Sequence, residues 1–467
     1  MNAWLRNLPR TRLALWSLFG ILLFLILLKS VTGRIDHDEI EHLHSTWKIL
    51  QGETIYIDFF QHHHPFFYYL LVPLLAISPK TSLILVIARA FCFLLFLLVL
   101  WVTYLIAAKN FDKLSAVLAL IFLCACSVFV DKVIEIRPDT PQTLFGLVSI
   151  YFLTEFYRDQ RIRDLILSAV CLSVSFLFLQ KALFLLVLIL SFLAFDGVSD
   201  YFKHRSFNGL RYLVIFFLTF MVPLGGYWLL LLLRGEFSQY FTLNWTLNLL
   251  IRTNSDKNPL DLLQEDFYSQ NTYMVLFYIL SLFFYIRKLH HRRLGMISLG
   301  LLFAVLLTRA HQQYLMPVIP LMAIAAAYGA VKIFKHRTLA IVVIAMVVML
   351  DYSLSINTGS NQPFRNKIDY VLSLTDIDGY VYDGDAQFNV FRKDVDFFWF
   401  QVRPEGALEI YQRIADYDYD IYQLIETYQP QVISTFQIGN LQDRRIADYY
   451  VQSPVYDDLL IRTHSKP

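Results

Sequence analysis

FFYYLLVPLLAI, residues 66–77, is apolar apart from its tyrosines and bounded by Pro65 and Pro79. A membrane-spanning helix needs about 20 residues at a rise of about 1.5 Å each, and this stretch has twelve. Its reading sets the side on which every later loop falls. Short cytoplasmic loops collect Lys and Arg. Arg6, Arg10 and Arg12 precede the first apolar span, which places the N-terminus inside and Ile35–Pro65 outside. If residues 66–77 crossed, Lys109–Lys113 and later basic loops would go outside. If the segment dips in and returns, Lys109–Lys113, Arg158–Arg163, Lys203–Arg211, Arg287–Arg293 and Lys332–Arg337 all lie inside. It is therefore read as a re-entrant or interfacial helix.

Working outward, apolar runs recur along the 467 residues, and each is a candidate bilayer span. Charged residues make up 17% of the chain, below the roughly 25% of an ordinary soluble domain. Eleven spans are expected, near 13–31, 82–108, 114–130, 142–157, 165–179, 182–195, 212–233, 272–286, 294–308, 314–331 and 338–356. The first has no small-residue cleavage site after it and reads as an uncleaved span. Residues 1–356 thus form an all-α polytopic membrane domain with a first outer loop at 32–81. From Asn357 the apolar runs shrink, and residues 357–467 read as a small extracytoplasmic α/β domain. Strands are expected at Tyr380–Tyr382 and Gln431–Phe436, and helices at Ala407–Ala415 and Leu441–Tyr450. No basic stripe with interleaved aromatics points to nucleic acid. The four cysteines, Cys92, Cys124, Cys126 and Cys171, lie inside apolar spans, which argues against a disulfide framework.

This topology puts Ile35–Pro65, Asp131–Asp139, Gly235–Asn271, the Gln180-Lys181 break and Arg309–Gln313 on one outer face. The first loop holds Asp36, His37, Asp38, Glu39, Glu41, His42 and His44, then His62-His63-His64. Carboxylates this dense beside a membrane repel one another unless a cation, proton or substrate uses them. One reading is a carboxylate general base, Asp38 with Glu39 beside it, oriented by imidazoles; the other is a solvated loop at headgroup level. Glu41, His42 and the histidine run also offer ligands for a divalent metal such as Zn²⁺ or Mn²⁺, although three adjacent histidines cannot all face one ion. Arg137, before Pro138 and Asp139, suits bidentate phosphate binding or a helix-end ion pair. Lys181 is either a phosphate ligand or a snorkelling lysine. Arg309, His311 and Tyr314 read as headgroup contacts or interfacial anchors.

In order along the chain, Asp38-Glu39, Gly52, Tyr56, Asp58-Phe59-Phe60, His63-His64-Pro65, Arg89, Arg137-Pro138-Asp139, Lys181 and Gln313-Tyr314-Leu315-Met316-Pro317 with Pro320 resemble the GT-C membrane glycosyltransferases. The relevant branch includes protein O-mannosyltransferases and bacterial aminoarabinose transferases, and the likeness covers about the first 330 residues. The resemblance implies a catalytic cavity at the outer membrane face, and the lack of long lumenal insertions such as those of eukaryotic mannosyltransferases points to a plasma (bacterial inner) membrane. There a hexosyl or pentosyl group passes from a polyprenyl-phosphate carrier to a lipid, glycan or protein. It implies Asp38 as base, with Arg137, Lys181 and Arg309 or His311 holding the carrier phosphate. His42, His63, His64, Arg89, Asp139 and Tyr314 complete the expected substrate-binding set. The chain departs from the aminoarabinose branch at His64-Pro65, where that branch has Lys-Pro. Two other classes fit the span count: a transporter or lipid flippase, and an assembly protein whose tail docks a partner. A transporter usually shows two related halves, and no internal repeat is visible.

Overall fold

The computed structural model describes residues 2–205, 207–253, 260, 267–285, 289–306, 311–334, 338–355, 359–402 and 406–463. Residues 2–32 form one helix, α1 (Asn2–Thr32). Asp36 then caps α2 (His37–Leu50) with both halves of a capping box: its carboxylate accepts the Asp38 N–H, and its own N–H is bound by the Glu39 carboxylate at 2.9 Å. The twelve apolar residues are α3 (Phe66–Ile77), about 18 Å long. Next come α4 (Leu83–Asn110), α5 (Lys113–Cys124) and α6 (Ser127–Val133). The single span expected at 114–130 is a bent pair, α5 and α6 meeting at 74°. The chain turns extended at Cys126, which carries residues 131–139 back beside α2.

Long helices follow: α7 (Asp139–Asp159), α8 (Ile162–Phe178), α9 (Ala182–His204) and α10 (Asn208–Leu233). Short helical turns, α11 (Phe237–Phe241) and α12 (Leu247–Thr253), flank one π-helical turn at Thr242–Thr246. The last apolar helices are α13 (Thr272–Tyr285), α14 (Leu289–Leu306), α15 (Ile319–Ile333) and α16 (Thr338–Ser355). Among the described residues, four helices are long and apolar enough to cross a membrane, and a fifth if the bent pair counts as one span. Val222 is 72% and Leu233 79% exposed on α10, a face that suits hydrocarbon rather than water. The four cysteines carry free thiols.

The tail builds a five-stranded sheet in the order β2-β1-β3-β5-β4. Its strands are β1 (Tyr380–Tyr382), β2 (Lys393–Asp394), β3 (Val432–Ser434), β4 (Tyr450–Gln452) and β5 (Leu459–Arg462). β1 runs parallel to β2 and β3, while β5 is antiparallel to β3 and β4. Four helices accompany it: α17 (Gln362–Leu374), α18 (Ala407–Ile414), α19 (Ile421–Tyr428) and the single turn α20 (Arg444–Ala447). The helix expected at 441–450 is thus reduced to one turn, because residues 450–452 pair with β5.

This tail packs on α2 and on the loop between α2 and α3. Phe60 stacks on Phe398 with ring centres 4.4 Å apart. The Phe60 N–H donates to the Phe397 carbonyl at 2.9 Å, and the Trp399 indole N–H donates to the Phe60 carbonyl at 3.1 Å. Asp394 accepts from His44 at 2.7 Å and from Lys48 at 2.8 Å. Helix α2 is therefore buried from Glu39 to Lys48, although half of those residues are charged or imidazole.

Candidate active site

The site grows from the start of α2. Asp38 occupies the second position of the helix, and its carboxylate forms an ion pair with Arg137. Arg137 is buried and lies just before Pro138, which caps α7. The guanidinium reaches Glu135 and Asp139, each at 3.5 Å. Asp139 in turn accepts from the Lys181 ammonium at 2.8 Å. Lys181 caps α9 and sits 4.1 Å from the centre of the Tyr314 ring. His311 stacks obliquely on Tyr314 at 5.9 Å. Asp38, Arg137, Asp139, Lys181 and Tyr314 thus form one chain of alternating charge ending on an aromatic face. Arg309 lies outside the described residues.

Two spaces open along this chain. A cavity of about 470 Å³ is lined by Lys29, Arg34, Asp36, His37, Glu135 and Gln387, the last from the tail. A narrow, mainly apolar cleft lies at the other end, bounded by Gln142, Lys181, Phe184, Leu301, Tyr314 and Pro317.

Glu39 sits elsewhere in the structure's logic. It has no exposed surface. Its oxygens accept from Arg89 Nε at 2.7 Å and Nη2 at 2.6 Å, and from the Ile136 N–H at 3.1 Å. Arg89 also donates to the Gly33 and Arg34 carbonyls. Gly33 is needed there, because a Cβ would stand 2.5 Å from the Lys29 carbonyl oxygen. The pair ties α2, α4, the end of α1 and the turn before α7 together, and Glu39 is spent on that tie. His64 also stands apart. Its ring faces Phe176 at 5.3 Å and Tyr240 at 5.6 Å, and neither ring nitrogen has a partner. Burial holds it at about 3, so it is neutral.

Electrostatics separate the carboxylates. Burial pushes the Asp38 carboxyl up, but Arg137 and His37 outweigh it and hold it below the usual value. Hydrogen bonding to Asp36, with the Asp38 carboxylate nearby, lifts His37 to about 9. Burial, with the Asp38 charge adding to it, pushes Glu41 up to about 8. Burial and then Arg137 push His42 down to about 3. At neutral pH, Asp36 and Asp38 are therefore ionised, Glu41 is mostly protonated and His42 is neutral. Ligand atoms of Glu41, His42 and His63 lie within 4.8 Å of one another, as do those of Asp36, His37 and Asp38.

Gln61 and Asp394 belong to this environment and were not expected. Gln61, next to the histidine run, was open to inspection as a buried amide between charged neighbours. Asp394 lies some 350 residues from its partners, and no local pattern marks it.

Residues 62–228 match the family model of dolichyl-phosphate-mannose-protein mannosyltransferases. No curated protein matches the chain in sequence. Among solved structures, the chain is similar to ArnT from Cupriavidus metallidurans bound to undecaprenyl phosphate: TM-score 0.69, 13% identity, 97% of this chain and 99% of that one. The apo form of the same protein superposes with a TM-score of 0.61 at 14% identity, over 89% and 92% of the two chains. The archaeal oligosaccharyltransferase AglB from Archaeoglobus fulgidus, in complex with an inhibitory peptide and a dolichol-phosphate, gives 0.55 at 13% identity, over 97% and 74%. The chain has the GT-C fold. The ArnT likeness runs over almost the whole chain, so it includes the tail as well as the apolar helices.

Proposed function

We propose that this chain is an integral membrane glycosyltransferase that takes a sugar from a polyprenyl-phosphate carrier and passes it to an acceptor hydroxyl on the extracytoplasmic face. The observation that carries the reading is the chain from Asp38 through Arg137 and Asp139 to Lys181, with a wide polar cavity at one end and an apolar cleft at the other. Two cations suited to a leaving phosphate lie close to Asp38, an ionised carboxylate suited to take a proton from an acceptor.

The steps follow from that arrangement. The prenyl part of the donor lies along the apolar cleft, and its phosphate takes up Lys181 and Arg137. An acceptor hydroxyl enters through the polar cavity. Asp38 accepts its proton as the oxygen attacks the anomeric carbon, and the bond from that carbon to the phosphate oxygen breaks. Polyprenyl phosphate leaves with the electron pair. Arg137 pairs with both Asp38 and Asp139, so one guanidinium links the base to the cation-bearing end of the site.

On this reading the eleven apolar segments are spans, the N-terminus is cytoplasmic, and the tail lies on the same outer side as the cavity, in the inner membrane of a bacterium. The test joins bound-lipid mass spectrometry to a transfer assay. The purified chain is expected to carry a polyprenyl phosphate or its monosaccharide ester. Lys181→Ala should lose that lipid, and Asp38→Asn should keep it while transfer falls by about 10²–10⁴-fold. Undiminished transfer by Asp38→Asn removes Asp38 as base. Ordinary phospholipids alone, in wild type and variant alike, remove the carrier site.

A further inference from the structure

We propose that Glu41, His42 and His63 form a binding site for one divalent transition metal of borderline softness, Zn²⁺ in the first place. Two imidazole nitrogens and one carboxylate oxygen are the donor set that suits such an ion, whereas Mg²⁺ and Ca²⁺ favour oxygen throughout. The three donor atoms already lie within 4.8 Å of one another. Donors around a tetrahedral zinc stand about 3.4 Å apart, given bonds of about 2.0–2.1 Å, so modest side-chain rotations close the set.

The surroundings are those of a built site. His42 is 1% exposed, and its Nδ1 points toward Glu41 Oε1 at 4.0 Å with no hydrogen-bond partner. A buried ring nitrogen left in that state is costly unless a ligand takes it. The fully buried Tyr68 hydroxyl also lacks a partner, and its ring lies 5.7 Å from that of His42. Gln61 holds both halves of the site. Its amide N–H donates to Glu41 at 3.1 Å, and its carbonyl accepts the His62 and His63 backbone N–H groups at 2.7 and 3.1 Å. The Tyr56 hydroxyl donates to the His63 carbonyl at 2.7 Å, from a backbone held at φ 70°. Supporting bonds of this kind orient ligands around metals.

The neighbouring group, Asp36, His37 and Asp38, does not compete. Asp38 is taken by Arg137, and Asp36 by the cap of α2 with Lys132 at 3.7 Å. Glu41 and His42 follow Asp38 by three and four residues on α2, so an ion bound there lies on the face of the helix that carries Asp38.

The test does not depend on the transferase reading, because it measures metal and not transfer. The full chain is purified through a tag without histidine, in chelator-free buffer, and its metal content is measured. Stripped protein is then titrated with Zn²⁺ against a chromophoric chelator. The expected result is about one Zn²⁺ per chain, with X-ray absorption showing nitrogen ligands at about 2.0–2.1 Å. Affinity should fall by more than about 100-fold in His42→Ala and His63→Ala, and by about 10–100-fold in Gln61→Ala. Wild-type protein that takes up no Zn²⁺, or shows no imidazole ligands by absorption, overturns the proposal whatever the variants do. So does affinity unchanged in His42→Ala and His63→Ala, or lost in His37→Ala alone. Size exclusion and thermal unfolding of each variant separate lost binding from lost fold.

Discussion

Replacing Arg89 by Met should damage the fold more than the chemistry, and the structure gives the size of the effect. Arg89 is 2% exposed and Glu39 has no exposure at all. The substitution removes both bonds to the Glu39 carboxylate and those to the Gly33 and Arg34 carbonyls. Glu39 is then a buried carboxylate supported only by the Asp36 and Ile136 N–H groups. Breaking a buried pair by removing one partner costs about 3–5 kcal/mol. A domain typically holds about 5–15 kcal/mol in total, so the single variant should be severely weakened. Arg89→Met with Glu39→Gln removes the uncompensated charge and keeps an acceptor for the cap of α2. It should recover about 2 kcal/mol or more as a coupling term. Thermal unfolding in mild detergent, followed by tryptophan fluorescence, reads both, and transfer should return with stability in the double variant. The reasoning fails if Arg89→Met unfolds within about 0.5 kcal/mol of wild type or the two changes add. If the double variant is stable yet inactive, Glu39 acts on substrate and is not merely a tie.

Two further outcomes follow from the surroundings of α2. Burial pushes the Asp394 carboxyl up, but His44 and Lys48 overcome it and hold it at about 2, below its ordinary 3.8. Its stabilising contribution, about 2 kcal/mol, is therefore complete above pH about 4 and lost as pH falls through 2. Asp394→Asn should show lower stability at pH 7 and a smaller loss between pH 4 and 2, and equal acid profiles for the two proteins would refute this. His64→Phe should keep transfer and raise stability, since the ring sits among Phe176 and Tyr240 with both nitrogens unpartnered. A fall in transfer without a fall in stability would instead put His64 on the substrate.

Much of this was legible from the residues. Apolar length marked the helices, and the expectation that Asp38, Arg137, Asp139, Lys181 and Tyr314 share one face of the membrane followed from the placing of lysine and arginine. Their meeting in space was carried by the resemblance and not by any local pattern. Glu39 was misleading for a physical reason. A carboxylate beside another in a loop reads as paired chemistry, yet adjacent helical residues point about 100° apart. Asp38 faces the Arg137 guanidinium, while Glu39 faces that of Arg89. The bend at Cys126 carries no proline or glycine, so the sequence gives no warning of it. The tail contacts depend on pairs such as Phe60 with Phe398 and His44 with Asp394, whose separation exceeds 300 residues.

Those long-range pairs bear on why the tail is present. Helix α2 is too polar to be buried without partners. Glu39 is satisfied from within the helical part, by Arg89. The opposite face, which carries Glu41, His44 and Lys48, is satisfied by Gln61 on Glu41 and, from the tail, by Asp394 on His44 and Lys48. Asp38 is fixed because the helix carrying it is held on both faces, and Gln387 of the tail also lines the polar cavity beside it. The tail therefore bears on the placing of Asp38 as well as on the shape of the opening. Cutting the chain before residue 357 would strip His44 and Lys48 of their anion and uncover Phe60. An account of the tail as a detachable docking module does not fit these contacts; one in which it completes the walls of the site does.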